Sequence, residues 1–131
     1  MTSEERMIGA RVLVCGGRAF KDRRGLKRVL DNFHDNTSPI GVLIAGGARG
    51  ADAFAEEWAI ERRVPTWIFP AEWHVYGNAA GPRRNQQMID DGKPDYVVAM
   101  PGGAGTSDMI RRARKAGIPT YVFDEELRRS D

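Results

Sequence analysis

Cysteine is almost missing from this sequence: Cys15 stands alone. No internal disulfide can form, and within the apolar run Val12, Leu13, Val14 the thiol reads as a small buried hydrophobe. Histidine is nearly as scarce. His34 and His74 lie far apart, so no set of side chains has metal-ligand spacing, and no metal is expected. No apolar run approaches the ~18 residues of a membrane-spanning helix. The opening Met1-Thr2-Ser3-Glu4-Glu5-Arg6 is too acidic and polar for a secretory signal, so a cytoplasmic setting with no membrane partner is expected. A formal net charge of +2 is too small for a basic nucleic-acid-binding domain, and a nucleic-acid partner is not expected. The P-loop pattern GxxxxGK[ST] is absent, and the first glycine turn lacks the GxGxxG of a dinucleotide site, which disfavours ATPase and NAD-dehydrogenase readings. No cofactor is expected, and there is no internal repeat, linker or low-complexity tract.

What is present fits one domain over residues 1–131, with an ordered core from about residue 9 to 124. The hydrophobic share of 41% and charged share of 29% are those of a packed globular protein. Five apolar stretches recur: Arg11 to Cys15, Gly41 to Ala45, Pro65 to Phe69, Tyr96 to Met100 and Pro119 to Phe123. Helical patterns separate them. Leu26, Val29, Leu30 and Phe33 make one stripe, Ala51, Phe54, Ala55, Trp58 and Ala59 a second, and Met109, Ile110, Ala113 and Ala116 another. A further helix starts near Gly81-Pro82 and stops at Asp91-Gly92. This alternation predicts an α/β fold, a single Rossmann-like domain with a mainly parallel five-stranded sheet and helices on both faces. The strands are apolar throughout, as expected where both sides are buried. Residues 71–80 show no clean period and read as a surface loop. Both ends, residues 1–8 and 125–131, read as polar and prone to fray.

Three strands run into glycine-rich turns: Cys15-Gly16-Gly17-Arg18, Ala45-Gly46-Gly47-Ala48-Arg49-Gly50-Ala51-Asp52 and Met100-Pro101-Gly102-Gly103-Ala104-Gly105-Thr106. In a doubly wound sheet all three lie at the carboxyl edge, and under the common order 3-2-1-4-5 they line one crevice. Glycine removes the side chain that would keep a ligand away, and the following helix start offers unpaired N–H donors. A phosphate or carboxylate is the natural guest.

Gly46-Gly47-Ala48-Arg49-Gly50-Ala51-Asp52, Gly81-Pro82-Arg83-Arg84-Asn85 and Pro101-Gly102-Gly103-Ala104-Gly105-Thr106 together resemble the SLOG superfamily. These Rossmann-like proteins include the Lonely guy phosphoribohydrolases, the YspA/YpsA-like proteins and the nucleotide-fold domain of DNA-processing protein A. The similarity extends over almost the whole domain and is nearest to the small stand-alone YspA-like branch found in bacteria and their phages. The Lonely guy enzymes carry PGGxGTxxE at the third turn, where the glycines and threonine hold the nucleotide phosphate. The resemblance sets Asp108 against the closing glutamate, which with an arginine serves hydrolysis of the bond between base and ribose 5'-monophosphate, and it makes Arg84 a plausible counterpart of that arginine. Aspartate is one methylene shorter, and GPRRN differs from the enzymes' RK-type motif. The resemblance implies binding or sensing of a nucleotide or nucleotide-derived ligand, with phosphoribohydrolase activity and an accessory role in nucleic-acid processing as alternatives. Homodimers or higher homo-oligomers are carried over from the family.

Individual residues divide between ligand contact and bland roles. Arg83 and Arg84 open a helix, where a cation needs an anion nearby, which a bound phosphate would supply. Asn85 serves either a ribose or base contact or helix packing. Arg18 and Arg49 serve either a ligand or a salt bridge. Asp52 reads as a helix-start acid, with a ribose hydroxyl as the other option. Thr106 and Ser107 suit a helix cap or a phosphate, and Asp108 a cap or a catalytic role. Gly16, Gly17, Gly46, Gly47, Gly50, Gly102, Gly103 and Gly105 complete the expected phosphate-binding set. Arg111, Arg112, Arg114 and Lys115 read as a solvated helix face, and Trp73 and Tyr76 either stack on a base or anchor their loop.

Overall fold

Short aliphatic runs build one sheet. The computed structural model describes residues 9–130. Strands β1 (Ala10–Cys15), β2 (Ile40–Ala45), β3 (Thr66–Ile68), β4 (Tyr96–Ala99) and β5 (Thr120–Val122) lie in the order β3-β2-β1-β4-β5, all pairs parallel. This is the expected topology. The chain moves outward from β1 to β3, then returns to place β4 on the other side of β1, so strand order reverses between β1 and β4.

Helices α1 (Arg23–Asn36), α2 (Ala51–Glu61), α3 (Trp73–Tyr76), α4 (Ala80–Asp90) and α5 (Ala104–Lys115) complete the fold. Alternation along the strands divides the core in two. Val12, Val14, Leu43, Ala45 and Val98 face α1 and α2, where Leu26, Leu30, Phe33, Ala51, Ala55 and Trp58 are buried. Leu13, Cys15, Ile44, Val97 and Ala99 face the other way, toward Met88 and Ile89 of α4 and Met109 and Ala113 of α5. Both faces are therefore covered, as a parallel sheet requires. Trp58 is fully buried yet satisfied, its Nε1 donating to Asp31 Oδ1 at 2.8 Å and so tying α2 to α1.

Four expectations are corrected. β3 and β5 are edge strands and only partly covered, so burial on both sides holds for the three central strands alone. Residues 71–80 are largely helical: α3 is followed by a 3-10 turn at Gly77–Ala79 that runs into α4 at Ala80. The sequence concealed this because every side chain from Glu72 to Ala79 is exposed, and a helix with no buried face has no apolar period. Helix α5 ends at Lys115, leaving Ala116 outside it and exposed. Residues 125–130 fold back instead of fraying, with Leu127 packed on the core and Phe123 bridged to Arg129. Residues 1–8 lie outside the described residues.

The turns pack against one another at the carboxyl edge. The Gly17 N–H donates to Pro101 O at 2.8 Å, and Gly17 O accepts from the Ala51 N–H at 3.2 Å. Gly50 has φ 71°, and a Cβ there would lie 2.4 Å from Gly17 O and 2.6 Å from Arg18 O. Gly50→Ala combines a left-handed backbone with a collision against main chain, and is expected to cost more than about 2 kcal/mol in urea unfolding. A wild-type unfolding midpoint in this variant would contradict the packing described.

Candidate functional site

A cavity of about 730 Å³ opens at the point of strand reversal, within the range of small-ligand pockets. Its lining comes from four places: Cys15 to Arg18 at the end of β1, Ala48 and Asp52 from the turn after β2 and the start of α2, Gly103 to Thr106 with Asp108 and Arg111 at the start of α5, and Trp73, Asn78, Arg84 and Asn85 from the helical segment between β3 and β4. Of the residues anticipated as ligand-binding or catalytic, Gly16, Gly17, Arg18, Arg84, Asn85, Gly103, Gly105, Thr106 and Asp108 share this lining. The others sit elsewhere. Gly46 and Gly47 lie in the neighbouring turn, Arg49 is exposed, and Gly50 and Gly102 are packed between turns. Arg83 is exposed and stacks over the Tyr76 ring at 4.0 Å, beside a separate cleft.

The glycines do not all serve one purpose. A Cβ on Gly16 would meet Ala51 Cβ at 2.6 Å and Met100 Cβ at 2.8 Å, and one on Gly102 would meet Thr106 Oγ1 at 2.1 Å and Gly17 N at 2.7 Å. Close packing of the turns accounts for these two. A Cβ on Gly46 would fall 2.0 Å from Arg84 Nη1, so this glycine makes room for a guanidinium. Gly103 and Gly105 differ: added Cβ atoms would meet nothing within 4 Å, neither has positive φ, and both face the cavity. Gly105 lies in the first turn of α5, where glycine costs about 1 kcal/mol against alanine. Nothing in the fold requires it.

Arg84 is anchored among carbonyl oxygens. Nη1 donates to Gly46 O at 2.7 Å and Phe69 O at 3.5 Å, and Nε to Asn85 Oδ1 at 3.2 Å. Burial pulls its pKa below the ordinary value, opposed by the charge of Asp52 and reinforced by that of Arg18. Asp52 was read as a plain helix-start acid, but it is buried, and Oδ2 accepts the Ala48 N–H at 3.2 Å. Desolvation raises its pKa, against the bond from Ala48, the charge of Arg84 and the bond from the Gly46 amide. The second turn therefore directs amides at an acid of the protein itself. Cys15 lies on the cavity floor with its pKa raised, by burial first and by Asp52 second, which keeps the thiol protonated.

Asp108 is fully engaged. Oδ1 accepts from Arg111 Nη2 at 2.5 Å, and Oδ2 from Arg112 Nε at 2.8 Å and Asn85 Nδ2 at 3.0 Å. Arg112 continues to Gln86 Oε1 at 2.9 Å, so the cluster clamps α4 to α5. Burial pushes the Asp108 carboxyl up, but the bonds from Arg112 and Asn85 and the two arginine charges outweigh it, and the net direction is down. Two earlier readings change. Arg111 and Arg112 are not merely a solvated face: both hold Asp108, and Arg111 reaches the cavity. Their spacing of three and four residues from an acid was the available signal. Counted along PGGxGTxxE, the glutamate also falls on Met109, with Asp108 one position early, and Met109 is completely buried in the core.

His34 accepts the Ile40 N–H on Nδ1 at 2.9 Å, a structural role remote from the cavity lining. Among the described residues no group of three His, Cys, Asp or Glu is placed to hold a metal ion, and no helix is long and apolar enough to cross a membrane.

Because its folded-state pKa is depressed, Asp108 contributes stability that is full above the unfolded carboxylate range and is lost as pH falls through the folded value. Asp108→Asn is expected to be less stable at pH 7 by roughly 1–3 kcal/mol, with the difference from wild type shrinking below about pH 4. Thermal melts across pH 2 to 7 check this, and a pH-independent difference would refute it.

Comparison with known proteins places these features. Residues 10–76 match the YspA, cpYpsA-related SLOG family, an interval that holds the first two turns and α3. The chain is also 40% identical to the Gene 61 protein of Mycobacterium phage D29, over 88% of this chain and 98% of that protein. On these matches the chain belongs to the YspA, cpYpsA-related SLOG family.

Proposed function

We propose that this domain binds a nucleotide or nucleotide-derived ligand in a cytoplasmic setting, seating its phosphate on the first turn of α5. The carrying observation is Gly105, whose bareness in the first turn of α5 answers to no packing contact and no positive φ and faces the cavity, next to the N-cap Gly103. No side chain caps α5, so its first amides point into the opening with the positive end of the helix dipole. Arg84 and Arg111 add charge from two sides, each held by other protein groups. A phosphate there would meet donors already in place, which lowers the ordering cost of binding.

Hydrolysis of an N-glycosidic bond is the weaker reading. A general base needs a pKa near working pH, whereas Asp108 accepts three hydrogen bonds, two of them from arginines, and is shifted down. The position of the Lonely guy enzymes' glutamate holds a core methionine, Met109. Binding without turnover suits a sensor or carrier domain.

Gly105→Ala separates fold from function. The variant is expected to gain about 0.5–1 kcal/mol of stability, since alanine is the better helix former and space is open. Its thermal-shift response to nucleoside monophosphates is expected to fall by an order of magnitude in apparent affinity. Undiminished binding would move the phosphate elsewhere. Wild-type protein incubated with the same nucleotides is expected to release no free base. Release that Asp108→Asn abolishes would replace this proposal with the hydrolase.

A further inference from the structure

Resting on the phosphate reading above, we propose that Arg18 and Trp73 form a subsite for a nucleobase, the planar ring entering between guanidinium and indole. Trp73 lines the cavity from α3 yet is 46% exposed, a large apolar surface left uncovered at the mouth of a pocket. Arg18, exposed in the turn after β1, lies over that ring with Cζ 5.1 Å from the centroid. The pair thus spans the opening between two elements.

That separation is informative. A ring held between guanidinium and indole needs about 7 Å, one stacking distance on each side. At 5.1 Å from the centroid the guanidinium is within cation–π range of the indole, so a base enters by displacing Arg18 from the ring face. The movement falls to the Arg18 side, where an exposed side chain turns at little cost. Trp73 is better supported: an added Cβ on Gly81 would lie 3.3 Å from its Cη2, so the indole rests against the start of α4.

Tyr76, the other ring considered for stacking, is taken. Arg83 covers it at 4.0 Å, and it faces the separate cleft with Pro70 and Glu72. Asn78, in the 3-10 turn after α3, brings an amide with both donor and acceptor to the wall that holds Trp73. A flat heteroaromatic with polar edges matches that wall, and stacking on tryptophan with arginine opposite tolerates any base.

The experiment compares ribose 5-phosphate with AMP, GMP, CMP and UMP by calorimetry, and by fluorescence in a Trp67→Phe background that leaves Trp73 and the buried Trp58 as emitters. Nucleotides are expected to quench Trp73 and to bind about tenfold or more tightly than ribose 5-phosphate. Trp73→Ala, with its unfolding midpoint checked in urea, is expected to erase most of that preference while leaving ribose 5-phosphate affinity unchanged, and Arg18→Ala is expected to weaken the nucleotides more than the sugar phosphate. Trp73→Phe is expected to retain most of it. Equal affinity for sugar phosphate and nucleotides, or variants that weaken both alike, would overturn the base subsite and leave the phosphate site standing. Failure of the wild-type protein to bind any of the five would overturn both.

Discussion

The close approach of main chain to main chain at the carboxyl end of β1 is the constraint on which the site depends. Gly17 bonds to the β4 turn through its N–H and to the start of α2 through its C=O, so one peptide segment fixes three turns at once. Side chains would separate them, which is why Gly16, Gly50 and Gly102 lack one. The cavity follows from that contact. Strand order reverses beside it, helices leave toward opposite faces, and the gap between α4 and α5 stays open at the rim.

The carboxylate cluster shows how the same fold can host or decline catalysis. The three donors to Asp108 make it a fixed ionic tie between α4 and α5, with Arg111 held out over the cavity. An acid so engaged orients cations well and accepts a proton poorly. The same cluster holds the Arg111 guanidinium at the cavity wall.

Much of the fold could be read from the chain. The three central strands are largely apolar runs and the flanking helices carry clear stripes, so the core followed from patterning and the strand order from the common arrangement of doubly wound sheets. The helical segment at 73–79 escaped because it buries nothing, and periodicity reports burial, not helicity. The site was half legible. Glycine clusters marked the rim, yet sequence cannot tell a glycine that admits a neighbour, such as Gly46 beneath Arg84, from one that leaves open space, such as Gly105. Distance along the chain also hid Asp52 behind a helix-start explanation and Arg111 behind a run of exposed cations.

Asp52 carries a last consequence. By drawing in the amide of Ala48, this acid gives the β2 side of the rim an anion from within the protein, while the α5 side offers amides that no side chain caps. Arg84 and Arg18 bring positive charge to the same carboxylate, so the β2 side of the opening is already charge-paired and open amide polarity remains on the α5 side.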